Sequence, residues 1–202
     1  MSRPTFALLP VLLLLVAGCT TEKQSSPART ATEQLLISTA ADRAANSLDL
    51  KIPVGTKVFI DSTYFQGTDS RYALSAIRAN FLRRGAALVP RREDAAAVVE
   101  LRAAALSIDE SETLVGLRSF VLPIPLAGDL TTPEIAFFKV TERQGVAKFA
   151  AFSYGAADGR RIAFSEPAPA YATDRYWLVF LFFSWTTSDL PDEEGYEVPI
   201  PW

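Results

Sequence analysis

Two features of the side-chain inventory bound what chemistry this chain can do: Cys19 is the only thiol, and histidine is absent. Without an imidazole the usual Ser-His-Asp and Cys-His nucleophiles are excluded, and so are most zinc sites. No S-x-x-K pattern supplies a serine–lysine substitute. Hydroxyls and carboxylates remain. Asp61, Ser62 and Thr63 end a short apolar run, a place where active-site groups often sit, although the same residue types are ordinary turn formers. Asp109, Glu110 and Glu112 lack the spacing of a calcium loop. Gly116 and Gly128 do not make a phosphate cradle. A glycosidase-type carboxylate pair need not be close in sequence, so a carboxylate-based hydrolase stays open. Nothing marks its acids. The expectation is a protein with no catalytic residue, no metal and no cofactor.

The thiol itself has an informative setting. Residues 1–10 carry one positive side chain, Arg3, and residues 6–16 are almost wholly apolar, the order of a secretory signal. The run is about half of the ~20 residues a spanning helix needs. It ends in Val16-Ala17-Gly18-Cys19, small residues that can lie extended in a protease groove ahead of a sulfur that can be alkylated. The stretch LLLLVAGC (residues 12–19) resembles the lipobox of bacterial lipoprotein precursors, with Val16 where leucine is commoner. The resemblance implies a signal peptide at residues 1–18 and acyl chains on Cys19. Two or more chains make a lasting anchor, at about 0.8 kcal/mol per buried methylene. Thr20, not aspartate, follows. By the same resemblance this implies the periplasmic side of the outer membrane over retention at the inner one. Residues 19–29 read as the lipidated cysteine and a flexible, proline-broken tether.

The formal net charge is −3, from 20 basic and 23 acidic side chains, and losing Arg3 with the signal makes it one unit more acidic. That balance argues against a phosphate-backbone partner, so no nucleic acid is expected. It also argues against electrostatic docking on anionic lipid. A hydrophobic share of 49% supports a packed core, and the length suits one domain. With Cys19 acylated no disulfide is available, so packing alone must hold the fold.

The elements follow from periodicity and punctuation. Thr30 and Glu33 match a capping box, and Ile37, Ala40, Ala41, Ala44 and Leu48 repeat at helical spacing after it. Residues 57–61 read as a strand. Asp69 or Ser70 can cap a second helix over residues 71–84, with Leu74, Ile77 and Phe81 inward and Gly85 as its left-handed stop. Strands are expected at residues 86–89 and 97–108, the latter with Val99, Leu101, Ala103 and Ala105 on one face. Residues 134–142 and 146–154 read as two strands about a tight turn at 143–145. Asp158-Gly159 is a hairpin signal leading into residues 160–164. The fold class is α+β: one domain over residues 30–188, a mixed or antiparallel sheet, two helices on one face and a C-terminal β-meander. An acidic, proline-rich tail occupies residues 189–202.

The order helix, strand, helix with FLRRG, strand ALVP, turn RREDAA and strand VVELRAAAL resembles an α+β domain of envelope proteins. That domain occurs in the curli-secretion lipoprotein family, the lipoprotein activators of penicillin-binding proteins and the N-terminal domain of TolB. Asp94-Ala95 stands where those families have Ala-Asp, and an uncharacterised lipoprotein family on the same plan fits equally. The resemblance covers roughly residues 30–109, about half the mature chain, and implies an assembly or accessory role with an envelope protein partner.

Two apolar stretches stand outside this plan. Residues 114–127 are apolar but interrupted by Gly116, Pro123 and Pro125, which predicts a loop or edge. It either lies over the core or, through Leu117, Phe120, Leu122 and Ile124, presents a docking surface for a partner or lipid. Residues 176–185 (YWLVFLFFSW) read first as one strand buried on both faces. Alternatively Trp177, Phe180, Phe182 and Trp185 form an oligomer seam, a lipid-facing edge or a wall for an apolar ligand. The leading expectation is a membrane-anchored, non-catalytic structural or interaction component of the envelope; the alternative is a carrier of an apolar ligand such as lipid.

Overall fold

The computed structural model describes residues 29–67, 69–124 and 128–191. Cys19, the signal segment and most of the tether and tail lie outside the described residues. Helix α1 (Ala31–Ser47) begins directly after Thr30, and its alanine stripe is buried at Ala40, Ala41, Ala44 and Ala45. Strand β1 (Lys57–Asp61) leads to α2 (Ser70–Arg83), which buries Ala73, Ile77, Asn80 and Phe81. Gly85 ends α2 at φ +86°, and Ala86 N–H reaches back to Phe81 O at 3.0 Å, the left-handed close expected of a glycine there. A two-residue strand β2 (Ala87–Leu88) and a short 3-10 turn follow.

Both helices pack on one face of a mixed sheet of order β2-β1-β3-β6-β8-β9. Strands β2 and β3 (Ala97–Leu117) run parallel to β1. The remaining partners are antiparallel: β3 with β6 (Ile135–Gly155), β6 with β8 (Pro169–Val179), and β8 with β9 (Phe183–Ser188). Strand β7 (Arg161–Ser165) also pairs β6. It occupies Ala151–Tyr154 while β8 occupies Phe138–Lys148, so β7 and β8 lie in tandem along one edge of β6. The C-terminal strands are antiparallel as expected, with β8 returning to β6, not to β7, after Pro167.

The core sits under the helices, where Leu36, Val58, Ile77, Leu101 and Phe149 are almost wholly shielded. Burying each such side chain contributes roughly 1.5–3 kcal/mol. Gly145 shows why α1 lies so close. A Cβ there would fall 2.3 Å from Leu36 O, so only glycine admits the helix backbone. The expected turn at residues 143–145 is therefore corrected: Gly145 sits inside an unbroken 21-residue strand and serves the helix.

Strand β3 also continues past its expected end at Ile108 to Leu117, paired with β6 along the way. An extra residue at Ala104 shifts the register between Ala103 and Ala105. Leu106 and Ile108, not Ala105, therefore continue the helix-side face. Asp189, assigned by sequence to the tail, docks on the domain, accepting from Arg43 at 2.9 Å and from Thr173 N–H at 2.7 Å.

Candidate functional site

Beyond Gly145 the sheet continues without helices on it, as a blade of β3, β6, β8 and β9. Its two faces differ because side chains alternate. On the helix side Arg143 pairs with Glu110 at 2.9 Å, and Lys139 bridges Glu134 and Glu112 at 2.9 and 3.0 Å. Hydrogen bonds from Lys139 to Glu134, then to Glu112, hold its ammonium above the ordinary lysine range. These pairs are partly solvated, so each contributes little to stability.

The face turned away from the helices is graded along the strand direction. One row carries Ser111, Glu142, Arg175 and Thr187; the next carries Thr113, Val140, Trp177 and Trp185; the outermost carries Val115, Phe138, Val179 and Phe183. Arg175 pairs with Glu142 at 2.8 Å, and this hydrogen bond holds the Glu142 carboxyl below the usual carboxylate range. Trp177 and Trp185 stack with centroids 5.9 Å apart and planes 5° apart, and Phe138 meets Trp177 edge-on at 6.2 Å. Trp177 Nε1 donates to Thr187 Oγ1 at 3.0 Å, so the indole keeps its polar end toward the charged row.

The turn of the β8–β9 hairpin is Phe180-Leu181-Phe182. It is exposed, with Phe182 81% accessible and Phe180 61%. Phe180 and Leu181 stand at φ +48° and +65°, left-handed conformations that bulky side chains rarely adopt and that hairpins ordinarily give to Gly or Asn. The tip is tied down by Phe180 N–H to Phe137 O at 2.8 Å. Phe137 is itself the extra residue of a second bulge, and it is exposed. The expectation of one doubly buried strand over residues 176–185 is therefore corrected. The run bends back on itself, and Phe180, Phe182 and Trp185 face solvent while Trp177 is half-buried.

The proline-interrupted stretch is an arm, not a loop over the core. Beyond β3 the chain forms β4 (Val121–Ile124), which pairs with β5 (Gly128–Thr131) before β6 begins. Thr132 ties its base, donating N–H to Phe120 O at 2.9 Å and accepting Phe120 N–H at Oγ1 at 3.0 Å. Pro123 is tolerated because a two-stranded ribbon has only edges. Leu117, Phe120, Leu122 and Ile124 are all exposed. Sequence reasoning named these four and the tip aromatics. It missed Val115, Phe138 and Phe183, whose place on the same face depends on cross-strand register.

The polar candidates resolve differently. Asp61 accepts from Thr63 Oγ1 at 2.6 Å and Thr63 N–H at 3.0 Å. Those bonds hold its carboxyl below the ordinary range, as in a structural Asx turn. Among the described residues no group of three or more acidic, Cys or His side chains is placed to hold a metal ion. No helix among them is long and apolar enough to cross a membrane. Two open grooves of about 450 Å³ run along α1 and α2, one by Leu35 and Tyr72, the other by Asn46 and Arg83; neither is lined by the blade aromatics.

Residues 13–182 match the model of a family described as a family of unknown function (DUF6655). The chain belongs to this family. The DUF6655 match takes in Cys19, both helices and the blade as far as Phe182. No curated protein matches the chain.

Proposed function

We propose that this DUF6655 protein is an envelope lipoprotein, anchored through acylated Cys19 to the periplasmic face of the outer membrane, where it acts as a non-catalytic structural or interaction component. The observation that carries the reading is the run LLLLVAGC followed by a polar segment directly before α1. The bare blade and arm support the interaction half. They offer apolar side chains as an outward surface, which suits docking better than carriage of an apolar ligand in a cavity. Mass spectrometry of the mature protein from its native host tests the anchor. An acylated Cys19 at the N-terminus is expected, and Cys19→Ser should move the protein from the membrane to the soluble fraction. A free thiol, or an N-terminus elsewhere, would remove the anchor and the location inferred from it.

A further inference from the structure

We propose that the bare end of the sheet is a membrane-contact site, in which the Phe180–Leu181–Phe182 tip and the face turned away from the helices enter the interface of a lipid bilayer. Three observations favour lipid over a protein partner. First, the face is ordered by depth: a charged row of Glu142 and Arg175, then a Trp177–Trp185 row, then Val115, Phe138, Val179 and Phe183, then the exposed tip. This is the sequence of environments met on passing from headgroups through the aromatic belt into acyl chains. A protein groove has no need of that gradient.

Second, the tip holds two bulky apolar residues in left-handed backbone. Such outliers cluster at functional positions, and here the strain keeps apolar side chains on a turn that glycine or asparagine would close more readily. Third, α1 starts at the blade. Its Leu36 lies over Gly145, and Arg143 feels Glu33 in its first turn. From Gly145 to Phe138 is roughly 20–25 Å along the strand. Cys19 precedes Ala31 by twelve positions, so acyl chains on it would keep the chain at a bilayer surface. This third point rests on the anchored reading above; the first two do not. On the helix side Lys139 and its two glutamates stand level with Phe138, so the contact is oblique, by the tip and one face. Because the chain is net acidic, the attraction is apolar, and zwitterionic lipid suffices.

The test separates the blade from the anchor. The core cluster lies between Leu36 and Ala172, and the chain from Ala31 onward is one compact unit. A chain starting at Thr20 therefore keeps the fold and lacks the thiol. It should co-float with phosphatidylcholine vesicles, little affected by added salt, and brominated lipid should quench Trp177 and Trp185. Phe180→Asp and Phe182→Asp should each weaken binding about tenfold or more, as expected for withdrawing a large apolar side chain. Leu181→Gly should weaken binding while raising thermal stability, because it removes backbone strain; a merely structural tip would not move the two in opposite directions. A folded chain that ignores the vesicles, or binding indifferent to the tip variants, would overturn the proposal. So would self-association that hides the same tryptophans without lipid. Each of these results leaves acylation of Cys19 standing, and a bare Cys19 leaves vesicle binding by the blade to stand or fall alone.

Discussion

The two halves of the β3–β6 ladder are one continuous pairing in two environments. In the inner half the helix side of β6 is built from small residues: Gly145, Ala147 and Ala151, with Ala172 beside them on β8, let α1 approach, and Phe149 fills the space beside Phe65 at 5.2 Å between rings. In the outer half the same alternation continues with no helix above it. One face fills with ion pairs and the other with aromatic rings. Hydrogen-bonded pairing is thus the same in both halves, and stability should not be. The inner half is held by side-chain burial, the outer by its ladder and by what it meets outside the chain.

Substitutions can break or sharpen that contrast. The largest difference is expected between two phenylalanines. Phe149→Ala should cost about 4 kcal/mol, the range for a buried aromatic, whereas Phe182→Ala should stay within about 0.5 kcal/mol. Urea unfolding of both would erase the distinction if the losses came out alike. Next, Gly145→Ala forces a methyl into Leu36 O and should cost about 2–3 kcal/mol through helix displacement. Ser153 Oγ is fully buried with no partner among the described residues. Ser153→Ala should therefore be neutral or stabilising by up to about 1 kcal/mol; a clear loss would mean the hydroxyl is engaged.

The smallest effect concerns acid. Asp61 has a lowered folded pKa, so its contribution is present above the unfolded pKa and disappears as pH falls through the folded one. Thr63→Ala removes the chief cause. The Asp61 carboxyl should then titrate higher by NMR, and the acid-side loss of stability attributable to it should shrink. Identical titrations in both proteins would show that the Thr63 hydroxyl does not hold the carboxylate.

The inner half was largely legible in the sequence because its signals are local. Thr30 starts α1, the alanine stripe marks its buried face, Gly85 stops α2, and Asp158-Gly159 turns β6 into β7. The outer half was not, because its logic is carried across strands. Glu110 and Glu112 read only as acids without a calcium-loop spacing until Arg143 stands opposite Glu110 and Lys139 lies diagonal to Glu112. Gly145 reads as a turn residue until Leu36 is placed over it. The run at residues 176–185 contains no Gly, Pro, Asn or Asp, so nothing local announces that it reverses at Phe180 and Leu181. Of the four apolar residues named in the proline-interrupted stretch, Leu117 closes β3 opposite Ile135 and Phe120 meets Thr132, while Leu122 and Ile124 sit on a two-stranded ribbon whose partner strand begins only at Gly128.

The irregularity at Ala104 makes changes in chain length along β3 unequal. Excising Ala104 would let Ala105 take its slot and leave Leu106, Glu110 and Val115 oriented as before. Excising one residue farther out, such as Ser111, would put every following side chain through the sheet, turning Glu112 onto the tryptophan face and Thr113 and Val115 onto the ion-paired one. Relatives that differ by a single insertion or deletion near Ala104 can therefore keep the same amphipathic outer blade.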